Sequence, residues 1–315
     1  MYFEDSLWLS EGTLKNIVGI TYCVCGLCGI CLNLITLTVL PEVVCRLGRP
    51  LLLMISFQLF VSILTLFCVI IPTPYMTAVE RPFFINELLI GYPGVVLTTL
   101  LLISYALQLF ISIYRNLYAI SKRSRKWFTD NVMKCIFSVA VFIPSFTIFK
   151  IGQETVIRRF SLTEIGFPIS DTEYLGILAF VLYTSLLAIM FYILSLSDLM
   201  YRHLFRAPNP DPTKPTSFSI LMLHFHYFIH DATFIMLFCF PRILPYFIHS
   251  LISILGTAFW PNVSLIIYSG DVRVALAYRI HLMTKSSLSG NLKRNVTIKK
   301  PEHRMRITQQ MSHIG

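Results

Sequence analysis

The sequence predicts an all-α integral membrane protein: a seven-helix bundle followed by a short amphipathic helix at the membrane interface. Three observations carry this. Charged residues make up only 13% of the 315-residue chain and hydrophobic residues 55%, whereas soluble chains carry roughly 25% charge. The uncharged runs are long enough to cross a bilayer. The cations concentrate in alternate connecting segments.

A hydrocarbon core of about 30 Å takes roughly 20 helical residues. Lys15 to Glu42 encloses 26 uncharged residues, Arg49 to Glu80 30, Glu87 to Arg115 27, Glu173 to Asp198 24 and Arg242 to Asp271 28. Lys134 to Lys150 encloses only 15, so its lysines are expected to reach along the helix to the headgroups. Lys214 to Arg242 encloses 27, interrupted once by Asp231. Seven spans are therefore expected near 16–40, 50–71, 88–118, 132–149, 174–197, 217–240 and 246–268. The short alternating segments of a membrane barrel are lacking, and a helix satisfies its own backbone. The first apolar run is too long for a signal-peptide core, so the first span is expected to act as its own insertion signal.

With the N-terminus outside, twenty Lys and Arg fall in inner segments and six in outer ones. Cytoplasmic loops retain these cations, so the N-terminus is expected outside and the C-terminus inside. The stretch YRNLYAISKRSRKW, Tyr114 to Trp127, is then the inner mouth of the third span. Its cations face anionic inner-leaflet lipids, each contributing about 1 kcal/mol; contact with a cytosolic partner is the second expectation.

Several motifs fall at matching depths. Asn33 sits in CLNLITL in the inner half of the first span, YRNLYAI ends the third, and WPNVSLIIY followed by SGDVRVALAYRIHLM ends the seventh. Together they resemble the rhodopsin-like G-protein-coupled receptors, and more narrowly the nematode serpentine chemoreceptors. The resemblance implies that Asn33 ties the first, second and seventh helices by hydrogen bonds; a lone polar residue bonding a neighbouring backbone is the alternative. It implies that Arg115 faces a G protein and locks the resting state, with Ala119 and Ile120 matching after it. The preceding acid is missing, a gapless match places Asn116 at the arginine position, and Arg115 simply reaching the inner interface is the alternative. Pro261 would kink the seventh helix. Tyr268 follows Pro261 by seven residues instead of three, so the family's tyrosine switch is not reproduced. Beyond it, Val272, Leu276, Ile280 and Met283 form one apolar stripe, with Arg273 and His281 off it and Asp271 at the start, as in an interfacial helix. The family's outer disulfide cannot form, since no cysteine lies at the outer end of the third span or between Lys150 and Tyr174. The eight cysteines, four of them in the first span, are expected to be small packing residues.

HFHYFIHD, in the sixth span, carries His224, His226, His230 and Asp231. His226 and His230 share a helix face, and an intramembrane acid normally faces the bundle interior. A ligand contact or proton-sensitive switch, a polar cluster satisfied by neighbouring helices, and a metal site are the three readings.

The expected protein is a multi-pass plasma-membrane receptor for an extracellular small molecule, probing it with the outer halves of its helices and signalling through a heterotrimeric G protein. Candidate ligand contacts by depth are Tyr105, Tyr183, His230, Asp231 and His249; candidate G-protein contacts are Arg115, Lys122, Arg123, Arg125 and Lys126; Asn33, Pro261 and Tyr268 are packing or switch residues. No catalytic residue, metal, cofactor or nucleic acid is expected. A small-solute transporter would need repeats with matching broken helices, and a membrane-embedded metal enzyme would need ligands beyond the sixth-span histidines and His249. The expected organisation is an extracellular tail 1–15, a seven-span domain 16–269, a surface helix 270–284 and a flexible basic cytoplasmic tail 285–315.

Glycosylation sites engineered before Lys15 and within Gln153 to Asp171 should be modified in microsomes, and sites within Pro208 to Pro215 and after Lys285 should not. Modification of the tail site would overturn the span count or the orientation.

Overall fold

The computed structural model describes residues 11–43, 49–79, 87–120, 127–154, 171–205, 229, 251–252, 256–268, 272–279 and 281. No strand occurs among them. The helices are α1 (Glu11–Val39, closed by a 3-10 turn at Leu40–Val43), α2 (Arg49–Ile70), α3 (Pro72–Val79), α4 (Glu87–Ile120), α5 (Asp130–Glu154), α6 (Asp171–Phe205) and α7 (Thr257–Tyr268). Five contain stretches long and apolar enough to cross a membrane: Thr13–Glu42, Arg49–Tyr75, Gly94–Leu117, Asp130–Lys150 and Gly176–Ser197. They coincide with the first five expected spans, and α7 with the later half of the seventh. The sixth expected span lies outside the described residues except for the helical Ile229.

The short α3 was not expected. The Ile71 N–H still donates to the Phe67 carbonyl at 3.2 Å. Pro72 then has no N–H to continue the ladder, so the chain turns and a new helix starts on the proline. α5 also outruns its expected span, because Lys150 is not its end. The helix continues to Glu154, with the Lys150 ammonium 5.9 Å from the centre of the Phe146 ring. At its other end, the Thr129 hydroxyl caps the helix by accepting from the Val132 N–H at 3.4 Å.

The helices are apolar outwards as well as inwards. On α1, Val18, Tyr22, Ile30, Asn33, Thr36 and Val39 are buried at helical spacing, while Ile20, Val24, Leu27 and Leu34 face out. In water that outer face would be a liability; in lipid it costs nothing. The cysteines correct one expectation. Cys28 and Cys31 are exposed on this outward side and Cys23 and Cys25 are half-buried, so none of the four is a core packing residue. Their spacing, read without the helix's rotation relative to its neighbours, could not reveal this.

α4 is the central helix. Of its span, 72% is buried, against 28–56% for the other four. It packs on α2, α5 and α6. Leu59, Met54 and Ile55 of α2 join Ile111 and Tyr114 of α4 and Met133 and Ile136 of α5 in one cluster. α5 is the peripheral helix: Phe142, Phe146 and Phe149 face outwards, with Phe142 stacked on Phe146 at 5.9 Å.

Contacts along the helices give their directions. Gly26 approaches Ile70 and Gly29 approaches Leu66, so α1 and α2 are antiparallel. Gly29 meets Phe259, and Val39 clusters with Ile266, so α1 and α7 are parallel. Tyr105 packs near Ile177 and Val181 while Asn116 bonds Phe191 and Ser195, so α4 and α6 are parallel. Val61 packs near Leu100 and Ile103 while Met54 packs near Ile111 and Tyr114, which opposes α2 to α4. α1, α4, α6 and α7 therefore all run the same way. Phe205 and Thr257 lie at opposite faces of the bundle, as one intervening span requires.

The chain forms one compact unit over Met1–Leu276 and a second over Ala277–Gly315. Within the first, Val272 and Leu276 of the helical stretch 272–279 are buried against Val39, while Arg273 and Val274 are exposed. These are two of the four residues of the expected apolar stripe. Ile280 and Met283 lie outside the described residues.

Gly29 holds α1 against both neighbours. A Cβ there would lie 2.8 Å from Leu66 Cδ1 and 2.8 Å from Phe259 Cζ. Gly29→Leu should destabilise the detergent-solubilised protein by about 1–3 kcal/mol, the usual cost of overpacking. Gly29→Ala should cost much less, because the atoms it meets are the mobile ends of side chains. Equal thermal midpoints for Gly29→Leu and the native protein would refute the close approach.

Candidate functional site

The polar interior is built from residues that a membrane helix tolerates only when they are paired. Asn33 on α1 is 1% exposed and Asn262 on α7 is fully buried. The Asn262 Nδ2 donates to Asn33 Oδ1 at 2.9 Å, and the Thr36 hydroxyl donates to Asn262 Oδ1 at 2.8 Å. The Asn33 Nδ2 reaches back to the Ala258 carbonyl at 3.4 Å. Both amides thus give and accept, and two parallel helices are joined over one turn of each. The backbone is irregular just upstream: Ile252 and Gly256 have π-helical geometry before Pro261. Pro261 carries no N–H for the ladder, and single wide turns of this kind relieve such a defect.

A second polar stripe runs along the central helix. Ser104, Gln108, Ser112 and Asn116 follow one another at four-residue intervals on α4, and all are buried. Gln108 Oε1 accepts from Gln58 Nε2 of α2 at 3.4 Å. At the inner end, Asn116 Nδ2 donates to the Phe191 carbonyl at 3.2 Å and to Ser195 Oγ at 3.1 Å on α6. Neutral amides therefore connect α1 to α7, α2 to α4 and α4 to α6. Such links can exchange partners when helices shift without moving a full charge through a low-dielectric interior.

The expected site residues separate into three groups. Asn33 and Pro261 are buried in the bundle, and Asn33 makes the link to the seventh helix that the resemblance implied. Its Oδ1 pairs with the Asn262 side chain and its Nδ2 bonds the Ala258 backbone, so Asn33 bonds a neighbouring backbone as well but is not a lone polar residue. Arg115 lies within the bundle near the inner end of α4. It is 7% exposed, because α4 continues to Ile120, about 7 Å further at 1.5 Å per residue. Arg115 is the one buried charged side chain among the described residues.

Two of the expected pocket residues are placed differently from each other. Tyr105 is 5% exposed and packed with Leu102, Ile148, Ile177 and Val181, inside the core. Tyr183 is 72% exposed on the outward side of α6. Depth placed both in the outer half of the bundle, but depth says nothing of rotation about the helix axis. The inward stripe of α6 is Ile177, Val181, Ser185, Ala188 and Tyr192, and Tyr183 lies away from it.

His230, Asp231, His249, Lys122, Arg123, Arg125 and Lys126 lie outside the described residues, as do the side chain of Tyr268 and the sixth-span histidines. Among the described residues no three His, Cys, Asp or Glu side chains lie close enough to hold a metal.

Sequence reasoning passed over Asn262. It also passed over Thr36, Gln108 and Ser195. The available signal was a polar residue inside an apolar span, which is expensive unless it is paired.

Asn262→Ala should destabilise the folded protein by about 1–2 kcal/mol. Interhelical bonds in membranes average about 0.6 kcal/mol and reach about 1.7, and two buried partners would be stranded. Asn33→Ala should cost a similar amount, and the double variant less than the sum, with coupling on the order of 1 kcal/mol. Additive losses of stability in detergent would show that the two amides act separately.

No family model matches the sequence, and no curated protein does. Among solved structures, the chain is similar to the crystal structure of squid rhodopsin, with a TM-score of 0.64 and 12% identity over 94% of this chain and 90% of that one. The chain is a multi-pass membrane protein with the seven-helix fold of rhodopsin.

Proposed function

We propose that this protein is a seven-helix receptor that detects an extracellular small molecule and signals inward through a heterotrimeric G protein. The observation that carries the reading is the rhodopsin-like fold along nearly the whole chain, combined with buried amide links between helices. A ligand that binds one helix arrangement better than another shifts the population toward it. The links at Asn33–Asn262 and Asn116–Ser195 are where such a shift would be felt, one joining the first and seventh helices and the other the third and fifth.

The finer proposal is a chemosensory receptor of the nematode serpentine type. Its N-terminus is outside and its C-terminus inside, following the cation asymmetry. His230, Asp231 and His249 are its proposed ligand contacts. Arg115, the inner basic loop with Lys122, Arg123, Arg125 and Lys126, and the Tyr268 end of the seventh helix form its proposed cytoplasmic coupling region. Buried Arg115 belongs to that region as a group uncovered by helix movement, not as a resting surface contact. Anionic inner-leaflet lipids are the second proposed partner of the basic loop. The reading is of a receptor and not an enzyme.

The test is guanine-nucleotide exchange on a panel of Gα subunits by the purified protein in nanodiscs, with candidate odorants. Replacing Lys122, Arg123, Arg125 and Lys126 together by Gln should lower exchange at least fivefold, equivalent to about 1 kcal/mol, with surface level and orientation unchanged. Unchanged exchange would make the basic run a topology signal alone. No exchange on any Gα in the native protein would remove the receptor reading.

A further inference from the structure

Arg49 opens α2 and Asp130 opens α5, and each is the first residue of a membrane-crossing stretch. The two helix starts lie side by side. Arg49 Nη2 is 4.0 Å from Asp130 Oδ1, and the two side chains are 72% and 70% exposed. Beneath them, Leu51 and Met54 of α2 share an apolar cluster with Met133 and Ile136 of α5. Lys134 follows Asp130 by four residues and is exposed as well, which sets the two on one face of α5. Asp130 thus has one cation as a neighbour on its own helix and another on α2.

These three charges do not satisfy one another. A hydrogen bond between ions is about 2.7–2.9 Å long, so Arg49 and Asp130 attract without bonding. Lys134 makes no ion pair among the described residues. A pair this exposed contributes little by itself, so it is exchanged for another partner at small cost. The depth is that of lipid headgroups. Trp127, three residues before Asp130, is 64% exposed, and exposed tryptophans gather at that level. Lys134 stands about 6 Å further along the helix, a distance its four-carbon stem spans when it turns back toward water.

We propose that Arg49, Asp130 and Lys134 together bind the headgroup of a phosphatidylserine. That headgroup carries a phosphate, an ammonium and a carboxylate: the same three charges with every sign reversed. The Arg49 guanidinium and the Lys134 ammonium donate to its two anionic groups, and the Asp130 carboxylate accepts from its ammonium. Phosphatidylglycerol offers the anion without the cation, phosphatidylethanolamine lacks the second anion, and the choline of phosphatidylcholine has no N–H to donate. The proposed orientation puts these helix starts in the cytoplasmic leaflet, where phosphatidylserine is found. The basic loop with Lys122, Arg123, Arg125 and Lys126 asks only for negative charge. This site asks for the ammonium as well, and Asp130 is the reason. It does not depend on the receptor reading.

The test uses full-length protein in phosphatidylcholine nanodiscs that hold equal small amounts of phosphatidylserine, phosphatidylglycerol and phosphatidylethanolamine. Lipids that stay bound after transfer to detergent are counted by native mass spectrometry. Phosphatidylserine should be retained about threefold to fivefold over phosphatidylglycerol, as one exposed ion pair implies. Asp130→Asn keeps the helix start polar and should erase that preference, while phosphatidylglycerol retention holds or rises. Arg49→Gln combined with Lys134→Gln should bring phosphatidylserine down toward phosphatidylethanolamine. All three side chains are exposed, so neither variant should lower the thermal midpoint, and each tests the site by itself. Equal retention of phosphatidylserine and phosphatidylglycerol by the native protein would overturn the proposal, marking a general anionic surface. So would retention of phosphatidylethanolamine equal to that of phosphatidylserine, which leaves the carboxylate unused. A preference that survives in Asp130→Asn, or in the double glutamine variant, would place the phosphatidylserine elsewhere on the protein and overturn it as well. Release of the bound lipid by soluble phosphoserine would mark a free phosphoamino acid as the ligand, and the lipid assignment would fall.

Discussion

The hydrocarbon core offers no hydrogen-bond partner, and the rest of this structure follows from that. Every backbone group must be satisfied within its helix, and side-chain hydroxyls fold back for the same reason. Thr65 bonds the Val61 carbonyl, Ser62 that of Gln58, Thr98 that of Gly94 and Ser195 that of Phe191. Amides are too long and carry too many donors to be satisfied this way. They turn inward and pair across helices, which is why Asn33, Gln58, Gln108, Asn116 and Asn262 are all buried. The apolar contacts fill the bundle, and the amides decide which helix faces which.

α4 shows how packing and function share one element. It carries apolar clusters toward α2, α5 and α6 and, between them, a stripe of small and amide side chains at four-residue spacing. Small hydroxyl residues let neighbouring backbones approach, as Gly26 and Gly29 do on α1. The amides then read that approach, since their bonds at about 3 Å hold only while the helices keep their register. A displacement of an ångström or two at one link breaks a bond that the membrane cannot replace.

Within the candidate site, the sequence was informative wherever energy alone limits the answer. Asn33 was legible as a linking residue because an asparagine in mid-span has few other uses. Asn262 obeyed the same rule and was passed over. Arg115 was legible as unusual but not as buried, because position along the chain does not show which way a side chain near a helix end turns. Tyr105 and Tyr183 share a depth class and have opposite fates, one in the core and the other facing lipid.

By itself the sequence determined what depends on transfer from water to lipid: the existence and approximate place of the spans, and the apolar surface. Those properties are sums over residues along the chain, so a linear reading captures them. Only the tertiary structure decided rotation and partnership. These include the outward turn of Cys28, Cys31 and Tyr183, the break at Pro72, and the pairing of Asn33 with Asn262 across 229 positions. The physical reason is that a helix apolar on all sides carries little directional signal. In lipid its rotation is chosen by a few close-packed glycines and paired amides, and those contacts exist only once the neighbouring helices are in place.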